Sequence, residues 1–455
     1  MSDAQRSRKP NVVFVFADQW RAQATGYAGN LDVRSPNLDR LAGESVNFVN
    51  AVSGCPVCSP YRASLITGRF PLTHGVFLND ARLSDDAVSI AQAFSAGGYR
   101  TGYIGKWHLD GPERSGYIPP ERRQGFEYWK VLNCTHGYMN SRYYAGDSDE
   151  LLSWDGYDAA AQTEDAADYI RRRADADEPF LLMLSWGPPH APYRQVPERY
   201  LNLFDPEQIA LRENVPEQIA EAIRPELAGY YAHIAAMDDC LARLLDALRE
   251  AGIEEDTIFV VTSDHGDMLG SRGARKKQSP WEESIRVPFL LRWPGGLGRD
   301  GRTDQHVIDA PDIMPTLLSL CGLPTPQTVE GRDLSDAARG RMAPEEDEAA
   351  LLMCVVPFCQ WNRDVGGREY RGLRTTRHTY VRDRNGPWLL FDDEADPCQL
   401  RNLVDEPGAR TLRDRLDALL DRRLAERGDE FLSAEAYIER WGYSVDELLQ
   451  IPYKD

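Results

Sequence analysis

Asn11-Val12-Val13-Phe14-Val15-Phe16-Ala17-Asp18-Gln19 is the stretch whose reading decides the fold. An apolar run over 11–16 closes on Ala17-Asp18. A short continuous apolar run of this kind reads as a parallel strand buried on both faces, with polar residues at its C-terminal tip. The pattern recurs. Tyr99 to Ile104 ends at Gly105-Lys106-Trp107-His108, Phe180 to Trp186 at Gly187-Pro188-Pro189-His190, and Thr257 to Thr262 at Ser263-Asp264-His265-Gly266. Helical patterns lie between these runs. Ser35 is placed as N-cap with Pro36 at the first helical position. Val88 to Ala96 is stopped by Gly97-Gly98, and Pro225 to Ala251 is long and amphipathic. Strands alternating with helices predict an α/β domain: a large, mainly parallel sheet flanked by helices. Sites in such sheets form beyond the carboxyl ends of the strands. Asp18, Lys106, His108, His190, Asp264 and His265 therefore converge on one edge.

The chain has 455 residues, 42% hydrophobic and 27% charged, which excludes disorder, collagen-like and coiled-coil chains. We divide it into an N-terminal tail (1–10), a catalytic α/β domain (11–322) and a smaller C-terminal α+β subdomain (323–455). Residues 325–348 are polar. Strand-like stretches flank the turn cluster Arg382-Asp383-Arg384-Asn385-Gly386, and Leu412 to Leu424 reads as an amphipathic helix. Lys+Arg is 52 against 72 Asp+Glu, a formal charge of −20. This excludes a general nucleic-acid partner. An anionic substrate must then be drawn by local cations. No run approaches the roughly 18 apolar residues of a membrane span, and no signal-peptide pattern precedes Asn11. Eight cysteines are too sparse for a disulfide scaffold. The expectation is a soluble, cytoplasmic protein with reduced thiols and no membrane partner; a homo-oligomer is compatible with this surface.

Cys58-Ser59-Pro60-Tyr61-Arg62-Ala63-Ser64-Leu65-Ile66-Thr67-Gly68-Arg69 carries the chemistry. Here a cysteine enters a helix with Pro60 in its first turn. A helix N-terminus lowers a thiol's pKa and suits an anion-binding nucleophile. Arg62, one turn on, falls near it. Cys-x-Pro-x-Arg followed by Leu-x-Thr-Gly resembles the signature of the type I, formylglycine-dependent sulfatases of the alkaline-phosphatase-like superfamily. The resemblance runs from roughly Asn11 to Leu403. It includes Asp18-Gln19 at a metal-binding tip, Gly105-Lys106-Trp107-His108, Pro189-His190-Ala191-Pro192, Ser263-Asp264-His265-Gly266-Asp267, and Trp281 to Pro288. Asp18-Gln19, where the family often has Asp-Asp, is also similar to the related phosphonate monoester hydrolases.

The resemblance implies hydrolysis of a small-molecule or carbohydrate sulfate ester, an anionic substrate. Its nucleophile is a hydrated formylglycine made from Cys58 by a formylglycine-generating maturation enzyme. It implies one divalent cation on Asp18, Gln19, residue 58, Asp264 and His265. Hard oxygen donors suit calcium, magnesium or manganese, and the one imidazole makes manganese more plausible, while the resemblance implies calcium first; a zinc site would use several His or Cys ligands. Lys106 and Lys277 would offset charge on the non-bridging oxygens. His190, with Lys277, would assist the leaving group, His108 would act as base, and Arg62 would orient the diol. Asn79 matches a position that contacts diol or sulfate, and His136 is read as facing substrate. Lys276 replaces Lys277 if its loop slips by one residue.

Bland alternatives stand beside these. Cys58 alone would read as a buried thiol, and Cys55 reads as a bystander. His74 serves structure or site equally well. His233 reads as packing. Tyr143, Tyr144 and Trp154 cover the core or stack on a sugar. Specificity is assigned to the loops Asp110 to Asp158, Val196 to Val215 and Val355 to Gly367. Phosphonate monoester or phosphodiester hydrolysis, and a catalytically silent binding protein, are the competing functions.

Overall fold

The computed structural model describes residues 9–86 and 88–455. Most of the tail assigned to 1–10 lies outside the described residues. Pro10 leads into the first strand, its carbonyl accepting from the Tyr99 hydroxyl at 2.9 Å.

Ten strands form the large sheet. They are β1 (Asn11–Asp18), β2 (Val46–Ala51), β3 (Arg100–Lys106), β4 (Tyr128–Leu132), β5 (Arg142–Ala145), β6 (Leu152–Ser153), β7 (Phe180–Pro189), β8 (Thr257–Ser263), β9 (Phe289–Arg292) and β10 (Arg302–Ile308). Their order is β10-β2-β9-β8-β1-β7-β3-β4-β5-β6. The core β8-β1-β7-β3-β4 is parallel throughout. β9 runs antiparallel between β8 and β2, and β5 and β6 finish the far edge antiparallel. The four strands whose tips carry the polar residues are thus adjacent, in the order β8, β1, β7, β3.

Burial explains why β1 is apolar without alternation. All eight of its residues are buried, and strand periodicity sends them to two cores. Val13, Val15 and Ala17 meet the helices Asp158–Arg173 and Ala220–Glu250. Val12, Phe14 and Phe16 meet the helices Cys58–Thr67, Ile90–Ala96 and Ala310–Leu320. Each fully buried Val or Phe side chain stabilises by about 1.5–3 kcal/mol over its exposed form, so a polar residue here would be costly on either face.

Two helix boundaries differ from the sequence reading. The second helix starts at Ile90, because Ser89 and Gln92 form a capping box. The long helix starts at Ala220, with Pro225 inside it. Residues 326–348 still pack on the large domain: Glu330 and Gly331 N–H groups donate to the Gly68 carbonyl. The second sheet opens at β11 (Ala349–Cys354) and continues through β12 (Tyr370–Thr375), β13 (His378–Asp383) and β14 (Gly386–Asp392) as an antiparallel meander. The expected tight turn joins β13 to β14, and the helix Arg410–Glu426 covers this sheet through Leu416, Leu419 and Leu420. Among the described residues no helix is long and apolar enough to cross a membrane.

Gly105, one residue before the β3 tip, has φ 103°. A Cβ there would lie 2.0 Å from the Ser185 carbonyl oxygen of the neighbouring strand. Gly105→Ala is expected to cost about 3 kcal/mol, read as a lower denaturation midpoint with an unchanged m-value. An unchanged midpoint would mean that the strand pair relaxes freely.

Candidate active site

Adjacent strand tips bring distant residues together. Asp18 ends β1. Asp264 follows β8, its N–H donating to the Ala17 carbonyl at 3.1 Å. Cys58 is the first residue of the helix Cys58–Thr67. Its Sγ lies 3.7 Å from Asp18 Oδ1, 3.3 Å from His265 Nε2 and 3.0 Å from Lys277 Nζ. Lys277, not Lys276, is therefore the lysine at the thiol. Donor atoms of Asp18, Cys58, Asp264 and His265 all lie within 4.8 Å of one another, and all four residues are buried. His265 Nδ1 is 3.0 Å from the Gly266 carbonyl. Its N–H donates there, which leaves Nε2 facing the cluster.

Gln19 joins through its backbone, its N–H donating to Asp264 Oδ1 at 3.0 Å. Its side-chain Oε1 is buried with no partner among the described residues. A free buried carbonyl oxygen beside crowded carboxylates is what a hard cation would complete. Burial and Asp18 both raise the Asp264 carboxyl. Burial opposes ionisation of Asp18 as well, but Lys106, Lys277, His190 and Arg62 outweigh it and hold that carboxyl well below its usual range. The donor set fits a divalent cation.

Lys106 and Arg62 act on this cluster from behind. Lys106 Nζ donates to Asp18 Oδ2 at 2.6 Å. Arg62 Nη2 reaches Asp18 at 3.3 Å and Asp264 at 3.1 Å, while Nη1 donates to the Lys106 carbonyl and Ser185 Oγ. The guanidinium stacks over the Phe16 ring. The hydrogen bonds of Arg62 thus go to the two carboxylates and to strands β3 and β7. Lys106 likewise meets Asp18, below the pocket floor. Burial and Asp18 would raise the Cys58 thiol, yet Lys106, Lys277 and His265 bring it well below its ordinary value.

Above Cys58 opens a cavity of about 360 Å³ lined by Asn79, His108, His136, His190 and Lys277 among others. Asn79 Oδ1 accepts from the Ser59 N–H at 3.0 Å, capping the helix that Cys58 begins. His136 and His190 stack, centroids 4.4 Å apart. His190 Nδ1 lies 2.7 Å from the Ala191 carbonyl, so Nε2 is its free nitrogen. Burial, Lys277 and His136 hold His190 well below its usual value, and burial with Lys106 brings His136 to about 3. Both rings are neutral in this state.

His108 meets a buried carboxylate. Its Nε2 is 3.1 Å from Asp80 Oδ1, and Asp80 is clamped by two hydrogen bonds from Arg114. Burial lowers His108, but Cys134 and Asp80 outweigh it and lift it to about 10. In this setting the charged form of the ring is favoured.

Other residues sort cleanly. His74 Nδ1 accepts from the Val76 N–H and its Nε2 meets Ser64 Oγ, a structural role. His233 packs between the Tyr157 hydroxyl and the Pro192 carbonyl. Burial raises the Cys55 thiol to about 12, leaving it inert. Tyr143 and Trp154 stack on each other away from the cavity, and Tyr144 packs on Tyr117. Of the specificity loops, 110–158 contributes Arg114 and His136, and 355–367 contributes Phe358 to Gln360. The loop 196–215 supplies none of the cavity's lining; Arg212 and Asn214 tie it to Glu283 instead.

Gln450 and Tyr453 line the cavity from a segment that carries no motif. That segment is strapped to both rims: the Cys359 N–H donates to the Leu448 carbonyl, and the Arg114 N–H to the Lys454 carbonyl. The Tyr453 ring covers the Arg114 guanidinium at 3.2 Å.

Chelating divalent ions is expected to destabilise the folded chain. An ion at one hundred times its Kd adds about 2.7 kcal/mol, and calorimetry with and without chelator measures it. An unchanged Tm would mean that Arg62 and Lys106 alone balance the carboxylates.

Comparisons with known proteins agree with this geometry. The Sulfatase family profile matches residues 10–323, and the profile for the C-terminal region of N-sulphoglucosamine sulphohydrolase matches 270–426. An ulvan-active sulfatase of Formosa agariphila is 46% identical over 437 residues, covering 96% of this chain and 85% of its own. The crystal structure of a putative sulfatase from Bacteroides fragilis superposes with TM-score 0.84 at 32% identity, covering 94% of this chain and 98% of its own. A phosphonate monoester hydrolase of Agrobacterium radiobacter gives 0.73 at 25% identity, covering 91% and 96%. With a buried cation-type cluster around a cysteine at a helix start, and with matches over nearly its whole length, this chain belongs to the sulfatase family and is a sulfuric ester hydrolase.

Proposed function

We propose that residue 58 works as formylglycine made from Cys58, beside a divalent cation, calcium first, and that the substrate is a small-molecule or carbohydrate sulfate. The observation that carries this is the Cys58 Sγ, 3.0 Å from Lys277 Nζ and 3.3 Å from His265 Nε2 at the floor of a cavity of about 360 Å³. That volume is of small-ligand size. Asp18, Gln19, Asp264 and His265 would hold the cation together with residue 58. Bound there, it would supply charge stabilisation and a lowered pKa for the nucleophile's hydroxyl.

The chain's own residues divide the remaining work. Lys277 sets an ammonium group at the atom that attacks, where the sulfate oxygens gather. His190 presents Nε2 to the cavity, with its Nδ1 proton held by the Ala191 carbonyl. A bound anionic ester offsets Lys277, one of the groups that depress His190, and so favours the protonated ring that a leaving oxygen needs. Asn79 fixes the helix start and lines the cavity, and His136 braces His190 by stacking. His108, held charged against Asp80, adds to the local positive field that a −20 chain needs for an anionic substrate.

A second reading is phosphonate monoester or phosphodiester hydrolysis with the same nucleophile. The likeness to the Agrobacterium radiobacter enzyme favours keeping it in view. Relative rates on an aryl sulfate and an aryl phosphonate separate the two.

Mass spectrometry of protein co-expressed with a maturation enzyme tests the nucleophile. Trypsin releases Leu41 to Arg62, which holds both Cys55 and Cys58. An aldehyde at 58 and an unchanged Cys55 are expected; an intact thiol at 58 would remove the proposed nucleophile. In matured protein, Lys277→Ala is expected to lower kcat about 10²–10³-fold on an aryl sulfate. A loss under threefold would take Lys277 out of the reaction.

A further inference from the structure

We propose that Asp267 is a positioning residue: it decides which end of the Gln19 amide faces the cation, and Tyr193 links that choice to the loop carrying His190. This rests on the reading that Asp18 and Asp264 hold a divalent ion.

Asp267 is fully buried. Its Oδ1 accepts from the backbone N–H groups of Leu269 at 3.0 Å and Lys276 at 2.9 Å. Its Oδ2 accepts from Gln19 Nε2 at 2.6 Å and from the Tyr193 hydroxyl at 2.5 Å. All four partners donate, so position 267 must present acceptors on both sides, which a carboxylate does and an amide does not.

The effect falls on Gln19. An amide side chain has nearly the same shape either way round, and its partners choose the end. Asp267 takes the NH₂ group, which leaves Oε1 free, buried and without a protein partner. A free carbonyl oxygen ligates a hard cation; an NH₂ group turned the same way would repel it. Gln19 is fixed further by its backbone N–H on Asp264. Tyr193, three residues after His190, closes the link from the histidine loop through Asp267 to Gln19.

The test is a substitution with its reversal. In Asp267→Asn the two backbone N–H groups claim the side-chain oxygen, so the introduced NH₂ faces Gln19. Gln19 must then give up its oxygen and turn its own NH₂ towards the ion. Adding Gln19→Glu restores a match, because a carboxylate of the same length as the amide accepts from that NH₂ and keeps one oxygen for the ion. Calcium binding to chelator-treated full chain is read by isothermal titration calorimetry, with the Tm of the ion-free protein alongside. D267N is expected to weaken calcium binding 10–100-fold, and Q19E/D267N to return it to within about threefold of wild type. Tyr193→Phe, which leaves the carboxylate in place, is expected to weaken binding by less than D267N. Wild-type affinity in D267N overturns the proposal. So does a loss that the double variant fails to recover, since that would mark Asp267 as structural only. If D267N does not fold, unchanged binding in Y193F together with weakened binding in Q19E/D267N overturns it. If wild-type protein takes up no calcium, magnesium or manganese, the reading of the cation site itself fails, and that result is distinct from the others.

Discussion

Two carboxylates sealed from water against each other set the terms for everything around them. Asp18 and Asp264 are both fully buried, and isolated charges in such a place are strongly disfavoured. Their compensation comes from three directions. Arg62 bridges both from the helix that Cys58 begins, Lys106 reaches Asp18 from β3, and His265 sits 3.4–3.5 Å from each. Each partner is fixed in turn. Arg62 is held by the Lys106 carbonyl and by Ser185 on β7, so one guanidinium ties the nucleophile's helix to two neighbouring strands. The sheet order and the site chemistry are in this sense one constraint.

That constraint explains what could be read from residues alone. The central strands are continuous apolar runs because both faces are buried, and their polar tips stand out against that background. Asp18, Lys106, Asp264 and His265 were legible for this reason, and Cys58 for its long motif. Arg62 was legible as a site residue, but its hydrogen bonds to the carboxylates were not. Sequence spacing puts it one turn from Cys58, while its long side chain passes behind the thiol to the carboxylates. The charge on His108 follows from Asp80, and Asp80 follows from Arg114. Asp80 and Arg114 lie on loops without periodicity, so no pattern announces them. Gln450 and Tyr453 approach through backbone hydrogen bonds to loop rims, which leave no mark in side-chain patterning. Glu283 draws the loop 196–215 away from the cavity, a direction that a variable-looking loop does not show in its sequence.

Several non-glycine residues with left-handed backbone also lie at this edge. Gln19, Asp80, His108 and Lys276 have φ of 73°, 62°, 59° and 64°. Such conformations persist where surrounding contacts over-determine them. Each is so held: Gln19 by Asp264 and Asp267, Asp80 by Arg114, His108 by the Asn133 carbonyl, and Lys276 by Asp267.

The burial of Cys58 has a consequence in time. The thiol is 1% exposed, at the junction of strands drawn from residues 11 to 263. Pairing over such separations is slow to form, because loop closure precedes the contacts that reward it. On the proposal that residue 58 is oxidised, the modifying enzyme would have to reach the thiol before burial closes around it. Its window closes when β8 docks beside β1 and the acidic pair is sealed. The order of synthesis favours that enzyme: the Cys58 segment leaves the ribosome some two hundred residues before β8 exists. On that proposal, the distance along the chain between the two carboxylates would act as a timer for covalent chemistry at the residue between them.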